Sequence, residues 1–247
     1  MITKILFSFS FGLMIPLSLF GEIQETWDFT APDGTPLTEV KSNLGTEFLS
    51  AASSIVAIRN NELEFYHDGT TPHTFRQTEF SGEPLTSGVC EISWKFTKVD
   101  FLKTAAVSGT ANIAFDLRDL KGTRQNVEDD IILAGLRLRF DKNTILVQYR
   151  PHDAKNFEVL HSISAAQLNA PMHVRMRFDL DNPEAIGSLK IHLKEGAKEE
   201  FCALEAGTLP KSAAISGFRS IQQTTNGKNT WQVGDVVCVD DFSLTVQ

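Results

Sequence analysis

The chain has 247 residues, and its 23 lysines and arginines against 31 acidic residues give a formal net charge of −8. That acidic balance argues against a nucleic-acid partner, which would need a dense basic surface. No second long apolar stretch follows the N-terminal one, which excludes a chain that crosses a membrane repeatedly through helices.

The opening segment, "MITKILFSFSFGLMIPLSLFG", places Lys4 before an apolar run from Ile5 to Phe20. A basic start, a short apolar core and a small residue, Gly21, are the layout of a secretory signal peptide. Pro16 interrupts the run, and it is short for a membrane span of about 20 residues. Residues 1–21 are therefore expected to be a signal peptide. The mature protein is then secreted, periplasmic or held at the cell surface, and is not membrane-bound after cleavage. Residues 22–247 suit a single domain, because β-sandwiches reach roughly 200–250 residues as one unit. Cys90, Cys202 and Cys238 allow at most one internal disulfide, and without a C-x-x-C pair a zinc site is not expected. Buried free thiols acting as small hydrophobes are the plainer reading.

Along the chain, strand signals dominate. "ETWDFT" (25–30) reads as a first strand, and Asn60-Asn61 separates "SIVAIR" from "ELEFY" as a tight turn. "GVCEISWKFTKV" (88–99) alternates Cys90, Ile92, Trp94 and Phe96 with polar residues, the period of a half-buried strand. "ANIAFDLRD" (111–119) repeats the pattern. "LAGLRLRFDKNTILVQYR" (133–150) predicts two strands joined at Asp141-Lys142-Asn143. "SAAQLNAP" (164–171) predicts a turn or two of helix before Pro171. "HVRMRFDLD" (173–181) is a strand closed by Asn182-Pro183, since proline cannot donate to a ladder. "GSLKIHLKE" (187–195) is another, and "EGAKEE" (195–200) reads as a loop or a weak helix. "VVCVDDFSLTVQ" (236–247) closes the chain and is expected to pair with the first strand. Many short strands with turn cues predict an all-β fold of two antiparallel sheets packed face to face.

"WDFTAPDGTPL" (27–37), "GVCEISWKF" (88–96), "AFDLRD" (114–119) and "VDDFSLTV" (239–246) together resemble the concanavalin A-like lectin/glucanase superfamily, including laminin G-like domains. The resemblance implies a jelly roll whose concave sheet meets carbohydrate, sometimes with a structural calcium ion.

If the apolar phase faces the core, the other phase projects Asp116, Arg118, Arg137, Arg139, Gln148, Arg150, Arg175 and Arg177 outward. Seven of the ten arginines fall between Arg118 and Arg177. Consecutive strands are often neighbours, so several of these residues are expected to share one sheet face, as a groove. Their forked donors suit the carboxylates or sulfates of an acidic polysaccharide. The competing reading is an ordinary surface of cross-strand Arg–Asp pairs, each worth about 0.2–1 kcal/mol. Trp94 and Tyr149 are in phase with the core. Trp231, in the polar segment "TTNGKNTWQVGD" (224–235), is either an exposed stacking platform for a sugar ring or a cover over the sandwich edge.

Catalytic readings follow from the same residues. Jelly-roll polysaccharide lyases neutralise a uronate with Arg or Gln while a Tyr or His moves the proton; Tyr66, His192 and Gln148 are the candidates here. The lyase strings Q-I-H and Y-x-K-x-G-x-Y are absent. A retaining glucanase needs two carboxyls about 5–5.5 Å apart. The nearest string, "DLDNPE" with Asp179, Asp181 and Glu184, is broken by Asn182-Pro183, which ranks a glycoside hydrolase below a lyase. Asp28, Asp240 and Asp241 would converge if the terminal strands pair, and calcium wants six to eight such oxygens. A non-catalytic glycan-binding jelly roll leads these readings, followed by the lyase and then by a surface adhesion module that binds a protein.

Overall fold

Alternating sequence becomes strand through most of the chain. The computed structural model describes residues 23–50, 56–67, 73–77, 84–121, 130–152, 154–195, 198–222 and 231–247, so the predicted signal peptide lies outside the described residues. In chain order the first strands are β1 (Ile23–Trp27), β2 (Phe48–Ser50), β3 (Val56–Arg59), β4 (Glu62–Tyr66) and β5 (His73–Gln77). Then come β6 (Val89–Asp100), β7 (Ala111–Asp119), β8 (Ile131–Asp141), β9 (Thr144–Pro151) and β10 (Glu158–Ile163). The last are β11 (Met172–Asp179), β12 (Gly187–Glu195), β13 (Lys198–Gly207), β14 (Gly217–Gln222) and β15 (Val236–Val246).

They form two sheets. The eight-stranded sheet runs β13-β12-β11-β6-β15-β4-β3, with β1 added alongside β15, and the seven-stranded sheet runs β10-β9-β8-β7-β14-β5-β2. The terminal strands pair antiparallel as expected, Ile23 opposite Val246 and Trp27 opposite Phe242. Asn60 and Asn61 (φ 52° and 61°) close the β3–β4 hairpin, and Lys142 and Asn143 (φ 49° and 62°) close β8–β9. Positive φ at both central positions matches the right-handed twist of the flanking strands.

The inward phases of the two sheets meet in an aromatic core. Trp94 of β6 lies 5.6 Å from Phe218 of β14 and 6.0 Å from Phe115 of β7, while Phe65 of β4 meets Phe115 edge-on at 5.7 Å. Such pairs add about 0.5–1.5 kcal/mol beyond their area burial. Trp94 and Tyr149 are buried, in keeping with their phase, and Cys90 and Cys238 are buried free thiols. Burial, helped by Glu62 and Glu64, pushes the Cys238 thiol up to about 12.

Three local expectations give way to tertiary contacts. Residues 164–171 make no helix, because Phe101 N–H donates to the Ala166 carbonyl and Leu168 N–H to that of Val99, at 2.8 and 2.9 Å. Lys198 onward is strand, not loop or helix, since β13 pairs with β12 along its length. A five-residue helix, α1 (Leu102–Ala106), forms where none is expected. Its first amides are held by the buried Asp235, which accepts from Lys103 and Thr104 N–H at 3.1 and 3.2 Å.

Candidate functional site

On the outer face of the seven-stranded sheet, register assembles a short array. Gly135 of β8 stands between Asp116 of β7 and Arg150 of β9, and Arg137 stands between Ala114 and Gln148. Arg139 follows between Asn112 and Leu146. Arg219 of β14 flanks Asp116 on its other side. Six predicted residues, Asp116, Arg118, Arg137, Arg139, Gln148 and Arg150, thus share this face.

They are not equivalent. Arg118 is only 5% exposed, and its guanidinium bridges Asp116 Oδ2 at 2.9 Å and Asp130 Oδ2 at 3.2 Å. That arginine is committed to an internal charge cluster. Arg139 pairs with Asp141 at 3.2 Å. Arg137 donates from Nε to Gln148 Oε1 at 2.8 Å. Among the described residues, neither Arg137 nor Arg150 forms an ion pair with a carboxylate. Burial first, then the like charges of Arg139 and Arg150, draws the Arg137 guanidinium below the ordinary arginine value, against the pull of Asp116. It stays protonated nonetheless, as arginines do.

Phe157 joins these residues, and the sequence reading passed over it. The connection from β9 to β10 brings its ring back over the sheet, with Arg137 Cζ 4.1 Å and Arg150 Cζ 5.0 Å from its centroid. Two guanidinium groups against one ring is a cation–π arrangement. Gly135 makes room for it: a Cβ there would stand 2.8 Å from Asp116 Oδ1 and 3.3 Å from Phe157 Cζ. The signal was an aromatic in the polar segment after an arginine-bearing strand. A cavity of about 240 Å³ opens here, walled by Asp116, Arg118, Arg137, Arg150 and Phe157. Asp116 Oδ1 is a buried acceptor with no hydrogen-bond partner among the described residues.

Other predicted site residues fall elsewhere. Arg175 and Arg177 do face outward, but on β11 of the opposite, eight-stranded sheet, where Arg175 meets Glu91 at 3.2 Å. Parity held while adjacency failed, because the chain crosses between sheets after β10. Trp231 is not an exposed platform. It is 0% exposed, packs edge-on to Phe101 at 5.2 Å and donates Nε1–H to the Asn112 carbonyl at 2.9 Å. The lyase trio is not assembled. Gln148 is on one sheet, Tyr66 and His192 on the other, and β11, β6 and β15 separate the strands of those two. Tyr66 lies beneath Arg59, 4.7 Å from ring centroid to Cζ.

Pairing of the terminal strands does not gather Asp28, Asp240 and Asp241 into one cluster. Asp28 Oδ1 accepts from Thr30 N–H and Oγ1–H at 3.3 and 3.1 Å, and Asp241, at φ 53°, lies 3.7 Å from Lys95 Nζ. Burial raises the Asp240 carboxyl above its ordinary value. Among the described residues no group of three or more His, Cys, Asp or Glu is placed to hold a metal ion. These three aspartates therefore do not fit calcium as a ligand set.

No protein-family model and no curated protein matches the sequence. Solved structures do. Lectin II from Ulex europaeus superposes with a TM-score of 0.52 at 11% identity, over 90% of this chain and 97% of the lectin. Arcelin-5, a lectin-like defense protein from Phaseolus vulgaris, gives 0.51 at 14% identity over 92% and 98%. The carbohydrate recognition domain of Emp46p in its potassium-bound form gives 0.50 at 12% identity over 86% and 95%. The fold is a concanavalin A-like jelly roll, the two-sheet antiparallel sandwich expected from the strand pattern.

Proposed function

We propose that the protein is an exported glycan-binding jelly roll that takes an acidic sugar on the outer face of its seven-stranded sheet. One observation carries the reading: in a chain of net charge −8, Arg137 and Arg150 border a cavity together with no ion pair to a carboxylate among the described residues. A uronate carboxylate or a sulfate ester would supply the missing anion through charge-assisted hydrogen bonds. Phe157 offers an apolar surface beside it, and Asp116 Oδ1 an acceptor for a sugar hydroxyl. The volume is below the roughly 300–1,000 Å³ of drug-sized pockets, which suits the end or a single ring of a chain. The signal-like N-terminus supports export.

Binding of labelled oligogalacturonate, against a neutral gluco-oligosaccharide, tests the reading. The acidic oligomer is expected to bind and the neutral one not. Arg137→Ser and Arg150→Ser are each expected to weaken binding by about 10–100-fold, the range for hydrogen bonds to a charged group. Equal, negligible binding of both sugars ends it.

A further inference from the structure

A second cavity, of about 420 Å³, lies on the outer face of the eight-stranded sheet. Its floor is the backbone at Trp94 and Val174, whose side chains point into the core. Across β6, β11 and β12, one row of outward residues reads Lys95, His173, His192, and the next reads Ser93, Arg175, Lys190. The two histidine rings are 6.1 Å apart. Every one of these positions except Ser93 carries a cation or a group that becomes one in mild acid.

Like charges directly opposite one another across strands repel, and an anion lying over such rows would be drawn by several cations at once. The protein's own carboxylates meet parts of these rows. Glu91 takes Arg175, and β15 sets Asp240 and Asp241 beside Lys95. On the other side, the register of β13 sets Phe201 opposite His192 and Ala203 opposite Lys190, with Glu199 and Glu205 at the next positions of the same phase, opposite Lys194 and Ser188. Lys190 forms no ion pair among the described residues.

We propose that this cleft is a second glycan site, which holds a sulfate- or carboxylate-bearing polysaccharide segment more tightly in mild acid than at neutral pH. Lysine and histidine act as point charges along a strand of anions, where the opposite face offers forked arginines. Its width across three strands, about 10 Å, suits a chain lying over the sheet and not only a sugar terminus. The histidines supply the pH dependence. Partial burial, then Lys95 and His192, disfavours the imidazolium of His173, with Asp241 opposing. An anion lying over the row reverses that balance, so ligand binding takes up protons and affinity rises as pH falls through the histidine range.

The experiment uses protein carrying Arg137→Ser and Arg150→Ser, in which the other face is disabled. Fluorescence polarisation with labelled oligomers of dextran sulfate, galacturonate and neutral dextran is read at about pH 5.5 and about pH 7.5, either side of the histidine range. At least one anionic probe is expected to bind about three- to tenfold tighter at the lower pH, and which one binds identifies the anion. Adding His173→Gln and His192→Gln should abolish that pH response, and Lys190→Ser should weaken binding at both pH values. Binding that ignores pH, survives the histidine changes, extends to neutral dextran or is absent with every probe overturns the proposal. Because the arginine changes are compared with unmodified protein at the higher pH, failure of the first site is read separately.

Discussion

Every residue of β7 from Ala111 to Asp119 is buried on both of its faces, whereas β11 alternates buried and exposed positions along its length. Both are central strands of their sheets, and both carry charge in the outward phase. On the seven-stranded sheet the β7 charges Asp116 and Arg118 are buried, and they are paired with each other inside the protein. Burying an unpaired charge costs several kcal/mol, and Arg118 accordingly sits between two carboxylates. On the eight-stranded sheet the cations stand near water, and proximity between them costs little. One face is built around fixed, partly desolvated arginines; the other presents charges that respond to solvent.

The largest expected effect tests that contrast. Arg118→Leu leaves Asp116, 2% exposed, and Asp130, whose side chain is 0% exposed, without their shared cation. Removing one member of a buried pair costs about 3–5 kcal/mol. Arg175→Leu breaks an exposed pair with Glu91 and should cost about 0–1 kcal/mol. Urea unfolding of the two variants measures the difference, and equal midpoints would break the comparison.

Much of this was legible beforehand. The alternation in 88–99, 111–119 and 133–150 marked strands and their inward phase, because burial on one face imposes a period of two. Asn60-Asn61 and the turn at Asp141-Lys142-Asn143 were legible because asparagine and aspartate favour turns and tolerate positive φ. Which strands adjoin was not. Arg175 follows Arg150 in the chain yet lies on the other sheet, and no local pattern encodes a crossing between layers. Of the two readings of Trp231, the exposed platform fails for the same reason: its polar neighbours in sequence are not its neighbours in space, which are Phe101 and the Asn112 carbonyl. Phe157 and α1 depend on distant partners, Gly135 and Asp235, and so left no periodic trace.

An intermediate effect sharpens the arginine face. Gly135→Ala forces a methyl into the space between Asp116 Oδ1 and the Phe157 ring. Overpacking of this kind costs about 1–3 kcal/mol, and the cheaper relaxation is for Phe157 to swing away from Arg137 and Arg150. Thermal unfolding should therefore show a modest loss, while oligogalacturonate binding changes by more than stability alone explains. A variant that melts lower but binds unchanged would separate Phe157 from the ligand.

The smallest effect belongs to the exposed face and concerns pH. His173 titrates below its ordinary value in the folded protein, chiefly through partial burial and then Lys95 and His192. Between the depressed folded value and the ordinary unfolded one, the unfolded chain binds more protons. The contribution is thus fully present above the ordinary histidine range, and it is lost as pH falls through that range towards the folded value. Because the ring is largely exposed, the loss is small, and His173→Gln should flatten it in thermal melts between about pH 7.5 and pH 5. Arg137 experiences the same causes, burial and like charge, yet a guanidinium keeps its proton throughout. Arg137→Ser should therefore leave the slope with pH unchanged. A saturating sulfated oligomer should reverse the sign of the His173 contribution, since an anion over the row favours the protonated ring, and an unaltered slope in its presence would mean that no anion lies there.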